Sequence, residues 1–149
     1  MKRVFSILLV AATFAFVGCE LFDREETFNK KELSIKGQWQ IVDRESGDFD
    51  GVNYGFGWDF DVTEVGKAYS FEYVIASENP EVKVGTRYKI SSFDYTMEQG
   101  SDGVLKRIVI KDNLTLEVVD IKSNNEIVIS SGQEQGTLRR MATQTLVNR

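Results

Sequence analysis

Few residues in this chain could do chemistry, and their absences say as much as their presence. Among 149 residues there is no histidine and a single cysteine, Cys19. Serine or cysteine nucleophiles activated by histidine are therefore excluded, as are the usual zinc sites built from His and Cys. Asp59 and Asp61 are paired carboxylates two residues apart. Glycoside hydrolysis needs two such groups facing each other across a cleft, about 5–10 Å apart. These two share the polar side of an aromatic run, so a solvated strand face is the simpler reading. Asp48-Phe49-Asp50-Gly51 has the look of a calcium loop. Aligning Gly51 with the loop glycine, however, puts Ser46 where the first acidic ligand belongs and Gly57 where the closing glutamate belongs. No catalytic residue, no metal site and no cofactor is expected.

Cys19 remains, and its surroundings give it a role. Lys2 and Arg3 open the chain, and Val4–Val17 is apolar or small apart from Ser6 and Thr13. A run of about 14 such residues suits the core of an export signal and is too short to span a bilayer. It ends Phe16-Val17-Gly18-Cys19, which resembles the bacterial lipobox, with Phe16 where that motif usually carries Leu, Val or Ile. The resemblance implies cleavage after Gly18 and a lipid on Cys19: a thioether lipid plus an amide-linked chain such as palmitate. Several chains on one residue are enough for stable anchoring. The expected partner of this end of the protein is thus a membrane. The acid cluster Asp23, Glu25, Glu26 near the cysteine resembles the surface-export signal of Bacteroidetes lipoproteins, and a solvated spacer accounts for it equally well. Glu20 stands where an inner-membrane lipoprotein commonly carries Asp, so the outer membrane of the cell envelope is the expected location, on either face.

Removing residues 1–18 takes Lys2 and Arg3 away and moves the net charge from −5 to −7. An acidic surface argues against nucleic acid as a partner. The remaining length, about 130 residues, suits one packed domain. Residues 19–34 read as the lipidated cysteine and a charged tether, with room for a helical turn between Arg24 and Leu33. Residues 35–149 read as the domain.

From Gly37 onward the apolar residues recur with period two, the mark of half-buried strands. Trp39 and Ile41 begin the series. Phe56, Trp58, Phe60 and Val62 follow, then Tyr69, Phe71, Tyr73 and Ile75, then Val84, Thr86, Tyr88 and Ile90. After Ser91-Ser92 the parity flips to Phe93, Tyr95 and Met97, which requires a bulge or bend. Four shorter strands are expected over 105–111, 114–121, 126–131 and 137–142, joined by turns rich in Asn, Asp, Gly and Ser. The long, Gly-rich stretch Arg44–Gly55 is expected as a loop. The fold class is all-β: about eight antiparallel strands in meander order, closed into a barrel, with a two-sheet sandwich as the alternative.

Ser34-Ile35-Lys36-Gly37-Gln38-Trp39 opens the first strand with Gly-x-Trp, and Thr137-Leu138-Arg139-Arg140 lies in the last. This order resembles the small lipocalin-like (calycin-type) lipoproteins of Bacteroidetes over residues 35–142. The resemblance implies that Gly37, Trp39 and Arg140 close one end of the barrel, with the arginine across the indole. It also implies a first inter-strand segment, residues 44–55, lying over the open end. Two departures are the lack of a disulfide and the lack of a long helix after the last strand.

Function is expected to be binding, not catalysis. Trp39, Trp58, Phe60, Tyr69, Phe71, Tyr73 and Tyr88 are the candidate lining of a cavity for a small hydrophobic ligand or lipid. The alternative is a filled barrel, since eight strands leave an interior just wide enough for side chains. Such a barrel would act as an interaction or inhibitor protein against another envelope or surface protein.

Overall fold

The computed structural model describes residues 28–149; Cys19, the export signal and the acid cluster at 23–26 lie outside the described residues. Nine strands follow one 3-10 turn, Lys30–Glu32. They are β1 (Gly37–Phe49), β2 (Val52–Phe60), β3 (Lys67–Ser77), β4 (Arg87–Gln99), β5 (Leu105–Ile110), β6 (Leu114–Ser123), β7 (Glu126–Ser131), β8 (Glu134–Met141) and β9 (Val147–Asn148). The first eight pair antiparallel in chain order, and β1 pairs with β8, so the sheet closes into an eight-stranded meander barrel. β9 is a short parallel addition to β4 at Tyr88–Lys89.

Closure follows from the sequence pattern, because each strand has one apolar face to hide and a barrel hides all of them without leaving edges. The inner faces meet in a core of Trp39, Phe60, Ile108, Ile127 and Leu138, all fully buried, with Trp58, Tyr95 and Ile110 beside them. Phe28 and Leu33, from the charged segment ahead of the barrel, pack against this core. Asn29 caps the intervening 3-10 turn by accepting from the Lys31 amide. The domain's packing thus begins several residues before Gly37.

Two local features differ from the sequence pattern or refine it. Residues 44–55 are not a loop over the open end; they belong mostly to β1 and β2, joined at Asp50-Gly51. Both turn residues have positive φ, 52° and 74°. That is the twist a two-residue hairpin needs, and Asp-Gly supplies it cheaply. Irregular register between Gln40 and Asp48 broke the alternation that would have shown β1 continuing. In β4, Ser91 opposes Ser70 while Lys89 opposes Phe71, so Ile90 is the extra residue of a bulge. The parity flip at Ser91-Ser92 has this cause. Before the bulge, Arg87 is the buried residue at 8% exposure, while Thr86 and Tyr88 are half-buried and Ile90 is 51% exposed.

The wall of the barrel is uneven. β1 and β4 run 13 residues each and β3 runs 11, whereas β5 and β7 run 6 each. The hairpins on the β5–β8 side therefore stop short of the rim that β1–β4 set, and the barrel is cut away on one side.

Candidate functional site

The two ends of the barrel are built differently. At the floor, the Arg140 guanidinium lies 4.2 Å from the Trp39 ring. It donates to the carbonyls of Lys36 (2.8 Å), Asn124 (3.0 Å) and Ser34. Trp39 Nε1 donates to the Ile35 carbonyl at 2.7 Å. Gly37 holds φ at +114°, and a Cβ there would sit 3.3 Å from Arg140 Nη1. Glycine is needed at that point for both conformation and space. Neighbouring Arg139 turns outward, 3.7 Å from Glu126. Burial holds the Arg140 pKa below the usual guanidinium value. The floor is a locked plug that joins the segment before β1 to β8 and to the β6–β7 turn.

The opposite end is hollow. A cavity of about 710 Å³ opens there. Its apolar depth comes from Ile41, Phe56, Trp58, Leu114, Leu116 and Ile129, and its rim carries Arg44, Ser131, Glu134 and Gln135. Arg44 and Glu134 are 3.5 Å apart, both well exposed. The space exists because two inner-face positions carry little side chain. Ser70 stands opposite Trp58, and Gly136 stands opposite Ile129. A Cβ on Gly136 would meet nothing closer than Ile41, at 3.9 Å. Below the cavity, Trp58 packs against Phe93 (ring centroids 5.7 Å) and Phe60 against Tyr95 (5.0 Å), which close it off from the floor.

The expected lining residues divide between four places. Trp58 lines the cavity, and Phe71 borders it from the wall. Trp39 and Phe60 belong to the packed floor. Because Trp58 opposes Ser70 and Gly57 opposes Phe71, alternation puts the rings of Tyr69, Phe71 and Tyr73 on the outer face of β3. There Phe71 and Tyr73 cover glycines: a Cβ on Gly57 would lie 2.4 Å from the Phe71 ring, and one on Gly55 2.4 Å from the Tyr73 ring. The Tyr73 hydroxyl donates to Gln40 Oε1 at 2.9 Å, and Lys89 Nζ lies 4.2 Å from the Tyr69 ring. Tyr88 is taken by Arg149, whose guanidinium lies 4.6 Å from its ring and which also pairs with Glu72.

A polar network that the sequence pattern did not point to sits on that outer face. Gln38, 1% exposed, donates from Nε2 to Asp59 Oδ2 (2.9 Å) and to the Gln144 carbonyl (2.6 Å). Its Oε1 accepts from Arg87, which also donates to the Ala142 carbonyl at 2.6 Å. Residues 142–144 are thereby strapped over the sheet. Burial raises the Asp59 pKa, against the lowering effect of the Gln38 hydrogen bond, and burial lowers that of Arg87. Asp61, the other member of the acid pair, caps the β2–β3 turn by accepting from Thr63 and from the Glu64 amide. The two carboxylates therefore serve structure separately and do not face each other across a cleft.

Fold and site together define a closed antiparallel β-barrel, plugged at one end and carrying an apolar cavity at the other. No protein-family model matches the sequence, and neither a curated protein nor a solved structure matches it.

Proposed function

We propose that this protein is a membrane-anchored envelope lipoprotein, held by lipid on Cys19, whose lipocalin-like barrel binds a small hydrophobic molecule or lipid. The observation that carries the binding part is the cavity of about 710 Å³, apolar in depth and polar at its rim. That volume falls within the about 300–1,000 Å³ typical of ligand pockets, and the pairing of apolar walls with a few polar rim groups is what such pockets use. The anchoring part rests on the Phe16-Val17-Gly18-Cys19 motif.

The test compares the native and denatured masses of the chain from Glu20 onward, purified without its lipid. A stoichiometric apolar molecule released on denaturation, and lost from Trp58→Ala, is the expected result. A clean apo mass, with no rise in melting temperature across a panel of lipids and other apolar compounds, would count against a carrier.

A second reading has its own support. Phe49 is 71% exposed beside the β1–β2 turn and Val84 63% exposed in the β3–β4 connection, both at the open end. Exposed apolar side chains on adjacent loops suit an envelope protein partner. A pull-down lost from a Phe49→Ser, Val84→Ser double variant that keeps its ligand would establish this reading.

A further inference from the structure

We infer that the free edge of β4 is a strand-docking site, covered in part by the chain's own β9. It takes an extended segment of a partner protein whose arginine replaces Arg149. This rests on the partner reading above and specifies what the partner presents.

The uneven wall leaves this edge open. β3 takes one edge of Tyr88 and Lys89, so β9 lies along the other. β5 joins β4 only from Tyr95 onward, because the β5–β6 hairpin turns back at Lys111–Asn113. Between β9 and β5, Ile90 to Phe93 have no strand against this edge among the described residues, and the Ile90 side chain is exposed. An unpaired strand edge is a template for a further strand. β9 already uses part of it: Val147 and Asn148 pair there in parallel, although both are exposed.

Next to the edge, recognition is aromatic and acidic. Register sets Glu72 beside Tyr88. The Arg149 guanidinium lies 4.6 Å from the Tyr88 ring and 5.3 Å from the Tyr54 ring while pairing with Glu72. Two tyrosine rings suit a flat guanidinium. The Glu72 side chain is only 13% exposed, and Arg149 is its one ion-pair partner among the described residues. A carboxylate this covered is costly to leave unpaired, so the cage selects for positive charge. The adjoining depression, about 480 Å³, has Phe49, Val52 and Val82 on its apolar side. Among the described residues that line it, the acids are Asp50 and Glu72 and the only cation is Arg149. Arg149 is itself half-exposed and held by a strand of two residues, which makes it a replaceable occupant. A partner segment that runs on along Ile90–Phe93 gains main-chain pairing that β9 does not make.

The experiment follows a dye-labelled peptide of the β9 sequence, Gln-Thr-Leu-Val-Asn-Arg, by fluorescence anisotropy against the full chain and against Arg149→Ala. The parent should bind it, and Arg149→Ala, whose cage is empty, at least about tenfold more tightly, because the tethered arginine competes. Citrulline in place of the peptide's arginine keeps the shape and removes the charge. It should weaken binding to either chain at least about tenfold, as should Glu72→Gln for the arginine peptide. Adding Thr-Val-Thr after the arginine lets the peptide run along Ile90–Phe93 and should tighten binding at least about threefold. The citrulline comparison on the parent needs no variant, so it holds even where a variant fails to fold. Binding to Arg149→Ala with none to the parent makes Arg149 a fixed clamp and overturns the proposal. So does indifference to citrulline, to Glu72→Gln or to the added residues, and so does no binding at all. The pull-down with the Phe49→Ser, Val84→Ser variant then decides the partner reading separately.

Discussion

Replacing Arg140 with alanine should destabilise the domain by about 3 kcal/mol, and the figure can be assembled from its contacts. Stacking of the half-exposed guanidinium on the buried Trp39 indole contributes about 1 kcal/mol. Three carbonyls, those of Ser34, Lys36 and Asn124, accept from the same guanidinium. Hydrogen bonds to a charged group are worth about 1.5–3 kcal/mol when dry, but Arg140 is half-exposed and water repairs part of the loss, so about 0.7 kcal/mol each is a fair discount. For a domain of this size the sum lowers the melting temperature by roughly 10 °C. Urea unfolding followed by tryptophan fluorescence reads the effect directly, because the Trp39 indole is the ring being uncovered. Arg140→Lys should recover less than half, since one ammonium cannot reach three diverging carbonyls while covering the indole. Arg139→Ala, outward and half-exposed, should stay within about 0.5 kcal/mol of the parent. A loss below about 1 kcal/mol for Arg140→Ala, or full recovery by lysine, would refute the plug as described.

Three further outcomes are expected. Gly57→Ala would place a methyl 2.4 Å from both the Trp39 carbonyl and the Phe71 ring; since backbone cannot step aside, a cost of about 3 kcal/mol should appear in urea unfolding, whereas Gly136→Ala, with open space before it, should be nearly neutral. Gly51→Val forces a β-branched residue to φ near +74°, and its unfolding midpoint should fall by about 1–2 kcal/mol. Asp59→Asn tests the half-buried carboxyl. A native pKa raised above the ordinary value subtracts stability where the group is ionised in both states, and ceases to do so as pH falls below that ordinary value. The variant should therefore be more stable than the parent at neutral pH, with the two denaturation curves converging in acid; a constant difference across pH would remove burial of Asp59 as the cause.

The barrel itself was legible because alternation is a backbone property. Strands β3 and β5 to β8 lie close to where the apolar period placed them, β2 starts earlier and β4 later than it suggested, and the β4 bulge announced itself as a change of parity at Ser91-Ser92. Asp50-Gly51 is a strong hairpin signal, but bulges between Gln40 and Asp48 hid the strand leading into it, so the segment read as a loop. Site residues were harder, because hydrophobicity does not say which face of a strand is inside. Tyr69, Phe71 and Tyr73 look like barrel lining, and Phe71 is fully buried, yet alternation sets all three on the outer face, where Gly57 and Gly55 leave room for the Phe71 and Tyr73 rings. Gly55 and Gly57 alternate with Phe56 and Trp58, and that was the available clue. The cavity depends on missing volume at Ser70 and Gly136, two residues with no apolar signal. The strap at 142–149 carries no period at all, since its anchors are a glutamine, an arginine and main-chain carbonyls.

Closure by β1 and β8 also governs when this domain can fold. Gln38 pairs with Met141 and Trp39 with Arg140, so the contacts that seal the cylinder join residues about a hundred positions apart. Contacts of such sequence separation form slowly, because the loop entropy is lost before they return anything. An emerging chain holding β1 to β7 has hairpins but no plug, two open edges and an uncovered Trp39. It cannot close its sheet until the eighth strand arrives. On the export reading proposed above, the late seal would act as a timer, and the exposed edges in the interval are where a holding chaperone would be needed.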